Sequence, residues 1–372
     1  MNKLTTIIII IAATLLAGCK QQSHKASYAS EALHYASLLN IEKHTSYTKV
    51  DIRNPWDTTH ILHTYILVPK TSSLPEPIPQ GTLVRTPLNK AVVYSSVHCA
   101  LLDELGAQES IAGVCDLGYI DLPFIKNKAR NGTIIDCGSS MQPNVERIIS
   151  LSPDAILLSP FENSGGYGAI EKLGVPLIEC ADYMETSPLA RAEWIKFFGM
   201  LVDNSNQADS IFSHVETEYN SIHRLVAKAR RRPRLMCDLP QGQTWYTAGG
   251  RSTMGIMYRD AGADYIFSRN RSNGSVPCSV EQIVEQGHNA DIWLLKYASA
   301  SSMTYAQLQN EVRGAHTLQA FRQKSIFGCN TLTSGYYEQT PFHPELLLEN
   351  LAHIVHPEIV PTCRKEYFKP LQ

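Results

Sequence analysis

Residues 143–158 read PNVERIISLSPDAILL, and residues 277–295 repeat the same order of features as PCSVEQIVEQGHNADIWLL. Each stretch begins with a turn, continues as a short helix with a glutamate near its start, and passes through an aspartate turn into an apolar strand. A weaker pair, LDELGA at 102–107 and YRDAGA at 258–263, precedes them. This order predicts two structurally alike lobes, and chance similarity between generic helix–strand units is the alternative.

The chain around these repeats has the sequence pattern of an α/β protein. From Ala91 onward, apolar runs of strand length alternate with helical segments, and the alternation resumes after Pro233. Such alternation predicts a largely parallel sheet covered by helices. The predicted fold class is therefore α/β, with two Rossmann-like three-layer lobes whose sheets are mostly parallel. Ligands of such sheets bind beyond the carboxyl ends of the strands.

Residues 188–232 are predicted to form a long α-helix that joins the lobes. Apolar residues recur at steps of three and four between Ala208 and Val226, which is the period of a helix with one buried face. The polar segment 203–205 is a point where this helix can break. The basic run at 228–232 complements the carboxyl end of a helix dipole, and Pro233 ends the helix.

The amino terminus has the features of an exported lipoprotein. A lysine precedes a ten-residue apolar run at 7–16, and Leu-Ala-Gly-Cys at 16–19 resembles a bacterial lipobox. The run is too short to span a bilayer, which needs ~20 apolar residues. We expect a signal peptide at 1–18, lipidation of Cys19 and further acylation of the new amino terminus, since stable anchoring takes more than one signal. An ordinary secretory peptide with a chance cysteine is the alternative.

Residues 19–80 are predicted to be a tether and an amino-terminal extension. A short helix is expected around 31–39, followed by two alternating runs at 47–52 and 63–68 that are typical of paired strands. Prolines 75, 77 and 79 predict a stiff linker to the main body. The remaining chain divides into a first lobe at 81–187, the linking helix at 188–232 and a second lobe at 233–372.

Composition excludes some classes of function. The 33 Lys and Arg against 35 Asp and Glu give a net charge of −2, so no general positive field exists to hold a nucleic acid. Beyond Cys19 the cysteines form neither a C-x-x-C pair nor a short Cys/His cluster, so we expect no intrinsic metal site. Buried small side chains are favoured over disulfides for them. The chain has no G-x-S-x-G, H-E-x-x-H or P-loop motif.

The order of these pieces resembles that of the extracytoplasmic substrate-binding proteins of ABC importers for iron–siderophore complexes, haem and cobalamin. The resemblance covers roughly residues 85–357. It depends on the YSS segment at 94–96, NVERII at 144–149, the linking helix, SVE at 279–281 and FHPELLL at 342–348. The extension at 20–80 falls outside the pattern.

The resemblance implies a bilobed, non-enzymatic protein with little hinge motion and a ligand in the cleft between its lobes. Glu146 and Glu281, one in each lobe, match the acidic residues that dock on arginine pockets of the permease pair. Two equivalent carboxylates suit simultaneous engagement of two subunits by charge-assisted hydrogen bonds. Alternatively, each glutamate only stabilises the first turn of its helix.

Candidate ligand-binding residues follow from their positions after predicted strands. Aromatic rings suit a macrocycle or a catecholate, and arginine suits an anionic chelate. The candidates are Tyr94, Ser95, Ser96, His98, Tyr119, Phe161, Glu162, Asn163, Tyr167, Trp245, Tyr246, Arg251, Tyr297, Asn330, Tyr336 and Tyr337. Imidazole could ligate iron or cobalt axially at His98 or His343, although capping and packing are favoured for His343.

The leading hypothesis is a lipid-anchored protein on the extracytoplasmic side. It would capture an iron or cobalt chelate, with a ferric siderophore as the favoured cargo, and deliver it to an ABC permease dimer with its ATPase. Cobalamin and haem are alternative cargoes, and no intrinsic cofactor is expected. A lipid-anchored envelope enzyme using Ser95, His98 and Asp116 is a second hypothesis. An interaction protein that docks a partner through residues 20–80 is a third.

Overall fold

A computed structural model describes residues 29–30, 33–162 and 166–372. The predicted signal peptide, Cys19 and Asn163 lie outside the described residues. In the part of the chain that is described, no helix is both long enough and apolar enough to cross a bilayer.

The extension forms a five-stranded sheet whose strand order follows the chain. Its strands pair antiparallel, except that the last two are parallel. The strands are β1 (Ala29–Ser30), β2 (Leu39–Lys43), β3 (Thr48–Arg53), β4 (Ile61–Pro69) and β5 (Thr82–Thr86). The two strands predicted at 47–52 and 63–68 are confirmed by β3 and β4. The sheet also includes β5, beyond the predicted boundary at residue 80.

The short helix predicted around 31–39 is wrong over its described part. Residues 33–38 form bends and Leu39 already begins β2. The physical reason is that backbone N–H groups of residues 34–38 donate to the carboxylates of Glu193 and Glu185 instead of to helical carbonyls. A long-range partner has replaced the local hydrogen bonds that a helix would need.

The first lobe is built on a parallel sheet of order β12-β11-β6-β7-β8. Its strands are β6 (Ala91–Val93), β7 (Ile111–Val114), β8 (Ile135–Asp136), β11 (Ala155–Leu158) and β12 (Leu177–Glu179), with a small hairpin of β9 (Gly138–Ser139) and β10 (Gln142–Pro143). Its helices are α1 (Ser96–Glu104), α2 (Pro123–Arg130) and α3 (Val145–Leu151).

The linking segment is helical but broken. It consists of α4 (Pro188–Glu193), α5 (Ile195–Leu201) and the 22-residue α6 (Ser205–Val226). The break after α5 includes Asp203 and Asn204 of the predicted polar segment, and there the Asn204 side chain donates to the Leu105 carbonyl at 2.7 Å. The apolar positions of α6 form its buried face, which packs on α5 and on the last long helix of the chain.

The second lobe has a sheet of order β16-β13-β18-β19-β20, parallel except for the last strand. Its strands are β13 (Arg234–Cys237), β16 (Asp264–Tyr265), β18 (Ile292–Tyr297), β19 (Ile326–Asn330) and β20 (Lys369–Pro370), and β14 (Pro240–Gln241), β15 (Thr244–Ala248) and β17 (Ser275–Ser279) form a separate antiparallel sheet. Its helices are α7 (Thr253–Asp260), α8 (Val280–Gly287), α9 (Tyr305–Glu311), α10 (Gln319–Arg322), α11 (Tyr336–Gln339) and α12 (Pro344–Val355).

The two lobes share one topology, as the sequence repeats predict. The order β7-β6-β11-β12 in the first lobe corresponds to β16-β13-β18-β19 in the second. The weaker repeat forms the same helix ending twice. Gly106 (φ 70°) and Gly262 (φ 82°) follow α1 and α7, and the next residue donates back to a helical carbonyl in each case. The positive φ is the reason that each ending needs glycine.

The aspartate turns of the two repeats also match. The Asp154 carboxylate accepts from the Lys90 backbone N–H beside β6, and the Asp291 carboxylate accepts from the Arg234 N–H at the start of β13. Each aspartate thus fixes the start of one strand to the start of its neighbour.

The cysteines beyond Cys19 behave as small core residues. All eight are free thiols, seven of them buried, and burial raises the pKa of several, as for Cys115, whose pKa is about 12. This agrees with the expectation of buried side chains.

Candidate functional site

A cleft of about 1270 Å³ opens between the lobes. One wall comes from α1 and the loop and helix at 118–126, and the other comes from residues 331–346 and 364–365. The helices α1 and α11, which line opposite walls, pack directly on each other. The Ser96 hydroxyl of the first lobe donates to the Glu338 carboxylate of the second at 3.3 Å.

Each lobe presents one exposed tyrosine to this cleft. Tyr119 is 88% exposed and Tyr337 is 53% exposed. Tyr119 ends a 3-10 turn that starts after Asp116, whose left-handed backbone (φ 53°) turns the chain sharply at the end of β7. Tyr337 lies in α11, which follows the left-handed Gly335 (φ 65°). Two phenol rings on opposite walls suit a flat or aromatic ligand.

His343 connects the two lobes beside the cleft. Its Nε2 lies 2.7 and 2.8 Å from the Glu104 carboxylate oxygens, and its Nδ1 lies 3.0 Å from Glu345 Oε1. Burial acts to lower the pKa of His343, but the hydrogen bonds and charges of the two glutamates outweigh it and raise the pKa to about 10. Each ring nitrogen contacts a glutamate oxygen, so His343 would have to break one of these two contacts to ligate a metal axially.

His98 is not available to a ligand. It is 2% exposed, and its Nε2 lies 2.9 Å from Asp182 Oδ1. Burial acts to raise the pKa of Asp182, but the charges and hydrogen bonds of His98 and Arg191 outweigh it and hold that pKa below its usual range. This corrects the expectation that His98 faces the cleft, and the ion pair instead joins α1 to the segment before α4.

The residues of the enzyme hypothesis do not form a catalytic group. Ser95 caps α1 by accepting the Val97 N–H, and Asp116 accepts the Ser140 N–H. His98 pairs with Asp182. Within the described residues, each of the three predicted catalytic side chains therefore has a structural partner, and none is hydrogen-bonded to another.

Only part of the predicted ligand set lies along the main cleft. Ser96, Tyr119 and Tyr337 line it, while Tyr297 and Asn330 line a neighbouring cavity of about 500 Å³. Others are exposed but outside both linings: Phe161, Glu162, Tyr246 and Arg251.

Further candidates are placed in packing roles. Trp245 is fully buried and its indole N–H donates to the Cys237 carbonyl, so its ring presents no surface to a ligand. Tyr336 is buried beneath the Lys296 ammonium, and Tyr94 is half-buried, with a pKa that burial raises. The Tyr167 hydroxyl donates to Glu179 at the junction with the extension, in a separate cavity of about 560 Å³.

The sequence did not point to several residues that line the cleft. Glu104, Glu338, Arg364 and Lys365 all do so. Glu104 ends a helix, and Arg364 and Lys365 lie in the carboxyl-terminal tail, so these three follow no predicted strand. Glu338 directly follows the predicted Tyr337 and was passed over. The adjacent Arg364 and Lys365 are a basic pair in the sequence that could have indicated a charged contact. No group of three or more His, Cys, Asp or Glu within the described ranges is arranged to hold a metal ion.

Glu146 and Glu281 occupy matching positions. Each is exposed and is the second residue of its helix, α3 or α8. The preceding caps are alike, because Asn144 accepts the Arg147 N–H at 3.0 Å and Ser279 accepts the Gln282 N–H at 3.1 Å. The two carboxylates are thus fixed at the starts of equivalent helices in the two lobes.

Comparison with known sequences gives a family match and a related lipoprotein. The sequence profile of the family described as periplasmic binding protein matches residues 91–331, more than half of the chain. An uncharacterized lipoprotein of Methanocaldococcus jannaschii is 25% identical over 77% of this chain and 69% of its own length.

Solved structures share the fold. One is a possible iron-binding, periplasmic solute-binding protein from Staphylococcus epidermidis, with a TM-score of 0.57, 19% identity and coverage of 73% of this chain and 100% of that one. Another is a periplasmic haem-binding protein from Pseudomonas aeruginosa, with a TM-score of 0.57, 15% identity and coverage of 77% and 98%.

Proposed function

This chain belongs to the periplasmic binding protein family, and from that premise we propose that it captures a metal chelate in the interlobe cleft and delivers it to an ABC permease. The observation that carries the proposal is the cleft of about 1270 Å³ with an exposed tyrosine on each wall. Its volume exceeds that of a typical drug-sized pocket of roughly 300–1,000 Å³, which suits a large chelate.

A ferric siderophore is the proposed cargo. Flat catecholate or aromatic groups would stack on Tyr119 and Tyr337, whose rings are accessible before any ligand arrives. The names of related structures refer to iron and to haem, which supports an iron-containing ligand. If cobalamin or haem binds in the same cleft instead, that compound is the cargo.

Delivery is proposed to use Glu146 and Glu281. Both carboxylates are exposed at the starts of equivalent helices, so each lobe offers the same kind of anionic contact. A permease dimer presenting two cationic pockets would bind both at once, and the two contacts would reinforce each other.

Lipid attachment at Cys19 is proposed to hold the protein at the extracytoplasmic face of the membrane. The lipobox at 16–19 and the lipoprotein relative from Methanocaldococcus support this placement. The protein itself is proposed to perform no chemistry, because transport energy would come from the ATPase of the importer.

Calorimetric titration of the mature chain with ferric siderophores, haemin and cobalamin tests the proposal. We expect saturable binding of one class of compound. The double variant Tyr119→Ala/Tyr337→Ala should bind about tenfold more weakly, because stacking on both walls is lost. Tyr246→Ala, which removes an exposed ring outside the cleft, is the matched control. Absence of binding to every compound would contradict the proposal.

A further inference from the structure

The carboxyl-terminal tail, residues 361–372, forms a fixed wall of the second lobe. Tyr367 and Phe368 are 1% and 2% exposed, and their backbone N–H groups both donate to Asn350 Oδ1, at 3.1 and 2.8 Å. Further along, β20 pairs antiparallel with β19 and forms the edge of the second-lobe sheet. The family match ends at residue 331, so this wall is a feature of the chain outside the matched region.

The tail lies where two cavities meet. The smaller cavity, about 500 Å³, lies between the tail and the strand-end residues Tyr297 and Asn330. Thr333, Arg364 and Lys365 line both this cavity and the main cleft. A ligand in the cleft that extends toward the second lobe would therefore meet the side chains of the tail.

The two tail cations at this junction differ in their partners. Arg364 is neutralised, because its Nε lies 2.8 Å from Glu349 and its guanidinium lies 3.3 Å from Glu218. Lys365 is half-buried, and its ammonium lies 5.6 Å from the centre of the Tyr367 ring. Among the described residues, no carboxylate lies within 4.0 Å of the Lys365 ammonium.

The other cations of the main cleft are already paired. Lys126 contacts Asp121, and His343 contacts Glu104. Lys365 as a residue is half-buried, and its ammonium has no carboxylate partner among the described residues, so an anionic ligand oxygen would be favourably placed beside it. The opposite wall has the exposed carboxylate of Asp103, which would favour placing an anionic group toward the tail and away from α1.

We infer that Lys365 is a specificity-determining residue that pairs with an anionic oxygen of the bound chelate, so that the site selects chelates of net negative charge. The inference rests on the proposed function, because it specifies the ligand of the same cleft. A catecholate or a carboxylate oxygen would supply the same chemistry, and a neutral chelate would gain nothing from this contact.

The test compares two probes by calorimetry on the mature chain: a trianionic ferric tris-catecholate and a neutral ferric tris-hydroxamate. Lys365→Gln is expected to weaken tris-catecholate binding about tenfold, the loss typical of one charge-assisted hydrogen bond, and to leave tris-hydroxamate binding unchanged. Lys365→Arg should retain most of the affinity. Lys369→Gln is the matched control, because Lys369 is an exposed tail lysine that lines only the smaller cavity.

The outcomes separate the two proposals. Equal tris-catecholate affinity in the wild type and Lys365→Gln would overturn the role of Lys365 alone, as would an equal loss for both probes. Wild-type preference for the neutral probe would overturn it too. If the wild type binds neither probe, nor haemin or cobalamin, the proposed function fails and the inference fails with it. Melting temperatures of all variants establish that each is folded.

Discussion

At the scale of single residues, the imidazole of His343 connects the two lobes beside the cleft. In sequence it precedes Pro344 and would cap a helix, but it makes no side-chain capping bond to α12. Instead it lies between Glu104 of the first lobe and the buried Glu345. A protonated imidazole between two carboxylates forms an interlobe contact whose strength depends on its charge.

The pH dependence of stability should report this contact. The pKa of His343 is raised to about 10, above its ordinary value in an unfolded chain, so its stabilisation is complete below about pH 6.5 and is lost as pH rises toward about 10. We expect His343→Gln to lower the free energy of unfolding by about 2 kcal/mol at pH 6 and by much less at pH 10. Urea unfolding of both proteins across this range measures the difference.

Glu104→Gln should flatten the same pH profile, because it removes the carboxylate that faces His343 from the first lobe. His316→Gln is a control, since this histidine is exposed in a surface 3-10 turn. A pH-independent difference between His343→Gln and the wild type would contradict the role assigned to the His343 charge.

At the scale of elements, the extension is part of the folded body. Its strands β2, β3 and β4 contribute Ile41, Val50, Ile52 and Tyr65 to the same hydrophobic core as the lobes. The Glu193 carboxylate, fully buried in α4, accepts the backbone N–H groups of residues 34–36 at 2.7 to 2.9 Å. Deleting the extension would therefore expose core residues, so deletion is a poor test of a docking role.

A single substitution tests this attachment more cleanly. Glu193→Ala leaves three backbone N–H donors without their acceptor, and we expect it to destabilise the protein by about 2–4 kcal/mol. Hydrogen exchange at residues 34–38 should rise while exchange in the second-lobe sheet stays unchanged. Glu311→Ala, at an exposed position of α9, serves as the control. Unchanged protection at 34–38 would show that the hydrogen bonds to Glu185 and the apolar contacts hold the extension without Glu193.

At the scale of the whole molecule, each lobe presents one exposed carboxylate at the start of an equivalent helix. Because the lobes share a topology, the capped helices α3 and α8 present Glu146 and Glu281 in the same structural context. The broken linking segment and the interlobe pair of Glu104 with His343 connect the lobes that bear them. This arrangement suits a docking partner that itself has two equivalent subunits.

The double variant Glu146→Ala/Glu281→Ala should lower uptake of the chelate by about tenfold or more and leave chelate affinity within about twofold. Each single variant should have a smaller effect. Glu109→Ala/Glu285→Ala removes one exposed carboxylate from each lobe away from the starts of α3 and α8 and is the matched control. Transport into proteoliposomes containing the importer measures uptake. Lost affinity with unchanged docking would argue against the assignment.

The sequence by itself determined the features that depend on local pattern. Strand-length apolar runs, the period of α6 and the paired short helices with a glutamate near their starts follow from short-range geometry, and the two-lobed α/β fold follows from their order. The sequence also placed Tyr119 and Tyr337 after strands, where the cleft is found.

Only the tertiary structure decided which of these residues face the cleft. Trp245 and His98 also lie near strand ends, but the first packs in the core and the second pairs with Asp182, 84 positions away. The helix predicted in the extension does not form over its described part, because backbone N–H groups there donate to the distant carboxylate of Glu193. The folded tail places Lys365 beside the cleft. Such outcomes depend on contacts between residues far apart in sequence, whose energies exceed the weak local preferences that a sequence pattern reports.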